Sequence, residues 1–200
     1  MKTLSRLVLA SNNQGKIEEF QPLLAPLGIE LISQASLGIE SVEETGLSFV
    51  ENALIKARHA CLHSGLPALA DDSGLSVAAL NGAPGIYSAR IAGANAGDAE
   101  KVQALLQQMK RVPSDQRQGC YHCTIALMQH PLDPIPLIAE GNLEGAILEE
   151  PSGLSGFGFD PVFYLPIQKC TVAQLSLSEK NKISHRALAV AKLLNLLNHE

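Results

Sequence analysis

The chain has 200 residues, of which 46% are hydrophobic, enough for one packed domain or a domain of two lobes. A net charge of -5, no Trp and 4% aromatics argue against a polyanion-binding surface and against stacking platforms for single-stranded nucleic acid. Four cysteines in a chain this long make no disulfide framework, and no apolar run reaches signal-peptide or membrane-spanning length, so a reduced, cytoplasmic protein with no membrane partner is expected.

Leu4 to Ala10 reads as a buried strand. Ser11-Asn12-Asn13-Gln14-Gly15-Lys16 follows as a polar loop, and a helical pattern begins at Ile17 with Phe20, Leu23, Leu24 and Leu27 on one face. Pro22 must lie near the first turn or bend that helix. A strand, a glycine-containing loop and a helix start offer backbone N–H groups to an anion, and Lys16 adds a full charge. It is not a Walker loop, because Ala10 stands where the first Gly belongs and Ile17 where Ser or Thr belongs. Ile29 to Ile32 reads as a second strand. After Glu43-Glu44-Thr45-Gly46, Ser48 and Glu51 form a capping box that predicts a helix from Phe49 to about His63, with Asn52 and Lys56 on one face.

Ala68-Leu69-Ala70-Asp71-Asp72-Ser73-Gly74-Leu75 is the stretch around which the rest is arranged. Read as a buried strand ending in a sharp turn, it puts two carboxylates at a strand's carboxyl end, where open α/β sheets bind ligands. A hard divalent cation would relieve their repulsion; a solvated turn is the plainer alternative. Leu75 to Leu80 continues apolar, and Asn81 to Arg90 is a turn-rich loop. Asp98 can cap a helix to about Met109. Gln118 to Gln129 has strand character. Its Cys120-Tyr121-His122-Cys123 is not a metal pair, because residues an odd number apart on a strand face opposite ways. Leu137 to Asn142 suits an antiparallel partner. Ser152 to Pro161 is a glycine-rich loop with two aromatics, suited to a flat ring. Val162 to Leu165 returns to strand. A final helix from about Ser184 has Ala187, Val190, Ala191, Leu194 and Leu197 on one face, and His185 and Arg186 in its first turn.

Seven motifs in this order are similar to those of the inosine triphosphate pyrophosphatase family. They are Ser11-x-Asn13-x-x-Lys16, Glu43-Glu44-Thr45-Gly46, Glu51-Asn52-Ala53 with Lys56-Ala57, Ala70-Asp71-Asp72-Ser73-Gly74-Leu75, Gly82-Ala83-Pro84-Gly85 with Ser88-Ala89-Arg90, Gly156-Phe157-Gly158-Phe159-Asp160-Pro161, and Ser184-His185-Arg186. The resemblance spans nearly the whole chain. Phe159 departs from it, standing where many members carry Tyr. The resemblance implies an α/β fold over residues 1–200 as one domain, with a long mixed central sheet flanked by helices, two lobes with an active-site cleft between them, and a homodimer. It implies Mg2+-dependent hydrolysis of deaminated purine nucleoside triphosphates (ITP, dITP, XTP) to the monophosphate and pyrophosphate, which cleanses the nucleotide pool.

By the same resemblance Asp72 is the proton acceptor and a metal ligand, and Glu44 a second ligand with Asp71 close by. Ser11, Asn12, Asn13, Gln14, Gly15, Lys16, Lys56 and Ser73 bind the triphosphate. Phe157, Gly158, Phe159 and Asp160 flank the purine, and Lys180, His185 and Arg186 donate to its 6-oxo edge. Fixed donors there reject adenine, whose 6-amino group is itself a donor. Two other readings compete. An aspartyl-phosphate phosphatase would need Asp-x-Asp after the first strand, where this chain has Ser11-Asn12-Asn13. A non-catalytic nucleotide-binding regulator would not need both acidic motifs and the lysines.

Overall fold

The computed structural model describes residues 4–198. Seven strands form one mixed sheet in the order β2-β1-β3-β4-β5-β6-β7, with five α-helices packed around them. The strands are β1 (Arg6–Leu9), β2 (Glu30–Ser33), β3 (Ala68–Val77), β4 (Gln118–Met128), β5 (Leu137–Ile147), β6 (Phe163–Leu165) and β7 (Cys170–Thr171). The helices are α1 (Gln14–Leu24), α2 (Phe49–Ser64), α3 (Asp98–Gln108), α4 (Leu177–Ile183) and α5 (His185–Asn198). β1 runs parallel to both β2 and β3, whereas β6 is antiparallel to β5 and to β7. No described helix is long and apolar enough to cross a membrane.

The chain divides into two compact units. Unit 1 holds residues 1–72, 123–141 and 186–200; unit 2 holds 73–122 and 142–185. The long strands β3, β4 and β5 each contribute residues to both.

Unit 1 has two apolar cores, separated by strand alternation. Leu7, Leu9, Leu69, Ile125 and Leu127 face Phe20 and Leu24 of α1 and Ala189, Val190 and Leu193 of α5. Their neighbours Val8, Ala10, Ala68, Ala70, Ala126 and Met128 face the small residues Ala53, Ala57, Ala60 and Cys61 of α2. The alanines let α2 approach its sheet face closely. Unit 2 has one core, in which Leu75, Val77, Tyr121, Ile147 and Phe163 meet Val102, Leu105 and Met109 at α3. The four cysteines are free thiols, and burial pushes the Cys61 thiol up to about 11.

The elements differ from the sequence expectation in definite ways. Asn13 caps α1 by accepting Lys16 N at 3.1 Å, so the helix starts at Gln14, and Gln14 to Lys16 form its first turn rather than a loop. Pro22 lies well inside that helix, which ends two residues later at Leu24. β3 does not stop at Asp71-Asp72 but runs on to Val77, so the carboxylates lie mid-strand. β5 extends past Asn142 to Ile147 because Gly145 lets it pass close to β6; a Cβ there would lie 2.5 Å from Tyr164 O. Gly97, not Asp98, caps α3. Two elements were not foreseen. They are β7 and α4, the latter opened by Ser176 and Glu179 as a reciprocal capping box. On α5 Ala191 is exposed, and Ala189 and Leu193 take the core positions instead.

Candidate active site

β3 supplies the centre. Its pairing with β1 ends at Leu9↔Leu69, so Asp71 and Asp72 lie just past the carboxyl end of their parallel neighbour. They are 1% and 6% exposed. Adjacent strand residues point to opposite faces. Asp71 therefore follows Leu69 toward α1 and α5, and Asp72 follows Ala70 toward α2. Each carboxylate has its own basic partners.

Asp71 accepts Lys16 Nζ at 2.8 Å and Arg186 NH2 at 3.3 Å. Burial opposes its ionisation, but Lys16 and Arg186 outweigh that and hold the carboxyl well below the usual range. Arg186 also pairs with the buried Glu19 of α1 and lies 5.6 Å over the Phe20 ring. Arg186 is only 1% exposed, and its NH1 and NH2 meet Glu19 and Asp71.

Asp72 meets Lys56 of α2, whose Nζ lies 2.7 Å from Asp72 Oδ1 and 2.7 Å from Glu44 Oε1. Asn52, one turn earlier, points Nδ2 at Asp72 Oδ2 at 3.4 Å and accepts Gly46 N at 2.8 Å on its Oδ1. The Glu43–Gly46 loop is thus pinned to the helix. A Cβ on Gly46 would lie 2.6 Å from Glu51 Cβ and 2.7 Å from Asn52 Oδ1, so only glycine fits. Burial raises the Asp72 carboxyl above its ordinary value, more than Lys56 lowers it, and Glu44 adds to the rise. Burial disfavours the Lys56 charge, but Asp72, Asp71 and Glu44 outweigh it, so the ammonium keeps its proton.

The two carboxylates around Lys56 fit a hard divalent cation. Both already converge on one positive centre. Among the described residues no group of three His, Cys, Asp or Glu side chains gathers to hold a metal. Two carboxylates suit Mg2+, which keeps waters and takes phosphate oxygens for its remaining positions.

The first turn of α1 presents backbone N–H groups that precede its first intrahelical bond, Ile17 N to Asn13 O. Ser11 Oγ accepts Asn13 N, and Asn12 is fixed between Gln34 and Ser41. Gln14 donates to Glu18 on the next turn. Gly15 lies in the first turn between Gln14 and Lys16. Ser73 is half-buried on β3, beside Asp72 in sequence.

The remaining predicted site residues, Arg186 apart, lie in unit 2 around Asp160. This carboxylate accepts Lys180 Nζ at 2.5 Å, Phe157 N at 3.0 Å and Tyr121 OH at 3.2 Å. Lys180 Nζ also lies 4.6 Å from the Phe157 ring centre. Gly158 N donates to Asp98 Oδ2 at 2.7 Å. Phe159, expected beside a purine, packs in the unit 2 core at 4% exposure, so its lack of a hydroxyl leaves no exposed gap. His185 stacks on Tyr121, with centroids 4.7 Å apart and planes 13° apart. Sequence reasoning passed over Glu19, Asp98 and Tyr121. Only Asp98, at a helix start, carried a recognisable signal.

Carboxylates and lysines gathered past the end of a parallel strand pair define an α/β protein of the kind that takes charged ligands at its sheet. The Ham1 family model matches residues 7–196, and the chain belongs to that family. It is 49% identical over 98% of its length to the whole of a dITP/XTP pyrophosphatase from Shigella flexneri, and 50% identical to one from Photobacterium profundum, covering 97% of this chain and 98% of that one. A Ham1 protein structure from Coxiella burnetii superposes with a TM-score of 0.90 at 50% identity, covering 98% of this chain and all of that one. A nucleoside-triphosphatase, also called dITP/XTP pyrophosphatase, from Mycobacterium abscessus gives 0.74 at 40% identity, over 94% of this chain and 98% of that one.

Proposed function

We propose that this chain hydrolyses deaminated purine nucleoside triphosphates (ITP, dITP and XTP) to the monophosphate and pyrophosphate, and so keeps these nucleotides out of DNA and RNA. The observation that carries the mechanism is the Lys56 ammonium set 2.7 Å from both Glu44 and Asp72. Water adds to the α-phosphorus and the bond to the α–β bridging oxygen breaks, so pyrophosphate leaves. Asp72 takes the proton that the water gives up, and its raised carboxyl suits it to hold that proton. Lys16 and Lys56 neutralise the phosphoryl oxygens, and the α1 first turn and Ser73 are assigned to the triphosphate as well. Glu44 and Asp72 would hold Mg2+, which when bound supplies further charge neutralisation on the phosphates.

The purine falls to unit 2. Phe157 offers its ring, and Lys180 and His185 are the 6-oxo donors. Arg186 holds Glu19 and Asp71 through one N–H of NH1 and one of NH2, and the guanidinium's further N–H groups are the donors assigned to the base. The working form is a cytoplasmic homodimer without a nucleic-acid partner, in keeping with the acidic composition.

The test is incubation with ITP and Mg2+ and separation of the products. IMP with pyrophosphate supports the reading. Orthophosphate as the released product, or binding without turnover, overturns it.

A further inference from the structure

Tyr121 lies in the Cys120–Cys123 run, where the thiols and imidazole attract notice first. Alternation along β4 turns it inward, to 7% exposure. Its ring centre is 4.4 Å from that of Phe163 on β6 and 4.7 Å from that of His185, to which it is nearly parallel. Its hydroxyl donates to Asp160 Oδ1 at 3.2 Å. The other oxygen of that carboxylate, Oδ2, accepts Lys180 Nζ and Phe157 N. One side chain therefore touches His185 with its face and, through Asp160, bears on Lys180 and Phe157.

We propose that Tyr121 is a specificity-determining positioning residue, whose ring fixes the plane of the His185 imidazole and whose hydroxyl fixes the carboxylate that holds Lys180 and Phe157. This rests on the purine assignment above. A stacked imidazole keeps its N–H groups in one plane, so the direction of donation is set before a nucleotide arrives. The Asp160 carboxylate, tied at both oxygens, keeps its orientation and with it the lysine it carries. A donor held still tells a 6-oxo acceptor from a 6-amino donor; a donor free to swing aside does not.

The experiment compares wild type, Tyr121→Phe and Tyr121→Leu for kcat and KM on ITP and ATP with Mg2+, alongside thermal melting. Tyr121→Phe keeps the ring and loses the hydrogen bond. It should raise KM for ITP about 3- to 10-fold, leave kcat within about twofold and lower the ITP-to-ATP ratio of kcat/KM about 2- to 3-fold. Tyr121→Leu removes the stack and should lower that ratio about 10-fold. A purely structural role would lower kcat for both substrates alike and move neither KM nor the ratio. Variants with wild-type KM and ratio overturn the assignment; if Tyr121→Leu does not fold, KM of Tyr121→Phe decides alone. A wild type that does not cleave ITP defeats the proposed function and this assignment with it, whereas an active wild type with indifferent variants defeats only the role of Tyr121.

Discussion

The Lys56 ammonium is equidistant from Glu44 and Asp72, at 2.7 Å from each, although the two acids are 28 positions apart in sequence. The carboxylates that would take a metal are thus assembled around a protein cation. Asp72→Asn keeps the shape and leaves Lys56 paired with Glu44, but removes the proposed proton acceptor. Turnover of ITP should fall by at least about 1,000-fold while the melting temperature shifts by only a few degrees. Near-normal steady-state rates would reassign the base.

Metal removal follows from the same contact. Without a divalent ion, Glu44 and Asp72 still face a positive charge. Treatment with EDTA should therefore abolish hydrolysis but leave the circular dichroism spectrum and the unfolding midpoint nearly unchanged, and Mg2+ should restore the rate. Unfolding on chelation would mean that the metal holds the fold.

Gly46 sets where the Glu44 loop rests on α2. Gly46→Ala would drive a methyl into Glu51 Cβ and Asn52 Oδ1 and lift the loop. The Mg2+ concentration for half-maximal activity should rise about 10- to 100-fold, the range for disturbing the support of a metal ligand. A Mg2+ titration of initial rates gives the answer.

Asp71 is buried and ionised, so its loss should be felt in stability before activity. Asp71→Asn leaves Lys16 and Arg186 short of a charge and should cost about 3 kcal/mol in urea unfolding at pH 7. The pH dependence has a definite sign. In the unfolded chain this carboxyl titrates near its ordinary value of 3.8, whereas folding holds it far lower. Its stabilisation is complete above that value and is lost as pH falls below it, because the unfolded state then binds the proton that the folded state refuses. Asp71→Asn should accordingly flatten the acid limb of a stability-versus-pH curve below about pH 4. A limb as steep as that of wild type would place the acid sensitivity in other groups.

Local signals were legible where one residue type dictates one conformation. Ser48 with Glu51 marked the start of α2, and Gly65 at φ 66° ends it after Ser64, one residue past the expected His63. Strand character marked β4, and the anchoring motifs pointed to the family. What stayed hidden depends on partners distant in sequence. Asp-Asp-Ser-Gly has the chemistry of a turn, and only burial on both sides keeps β3 extended through it. Once it is a strand, two identical neighbours must part company, Asp71 to the α1 and α5 side and Asp72 to α2. Asp160 reads as part of a glycine-rich loop suited to a flat ring, yet Tyr121 and Lys180, 39 and 20 positions away, make its carboxylate internal. Arg186 in a first helical turn gave no sign of Glu19, 167 residues upstream, with which it pairs.

Asp71 is gripped by two cations of unequal freedom. Lys16 has a pliant aliphatic stem and some access to solvent, whereas Arg186 is wedged beneath Phe20 and clamped by Glu19. Should the proposed triphosphate draw the lysine away, the guanidinium stays behind as a backstop, and the carboxylate keeps a counter-charge. Redundancy at Asp71 would leave the lysine at liberty to follow the proposed substrate.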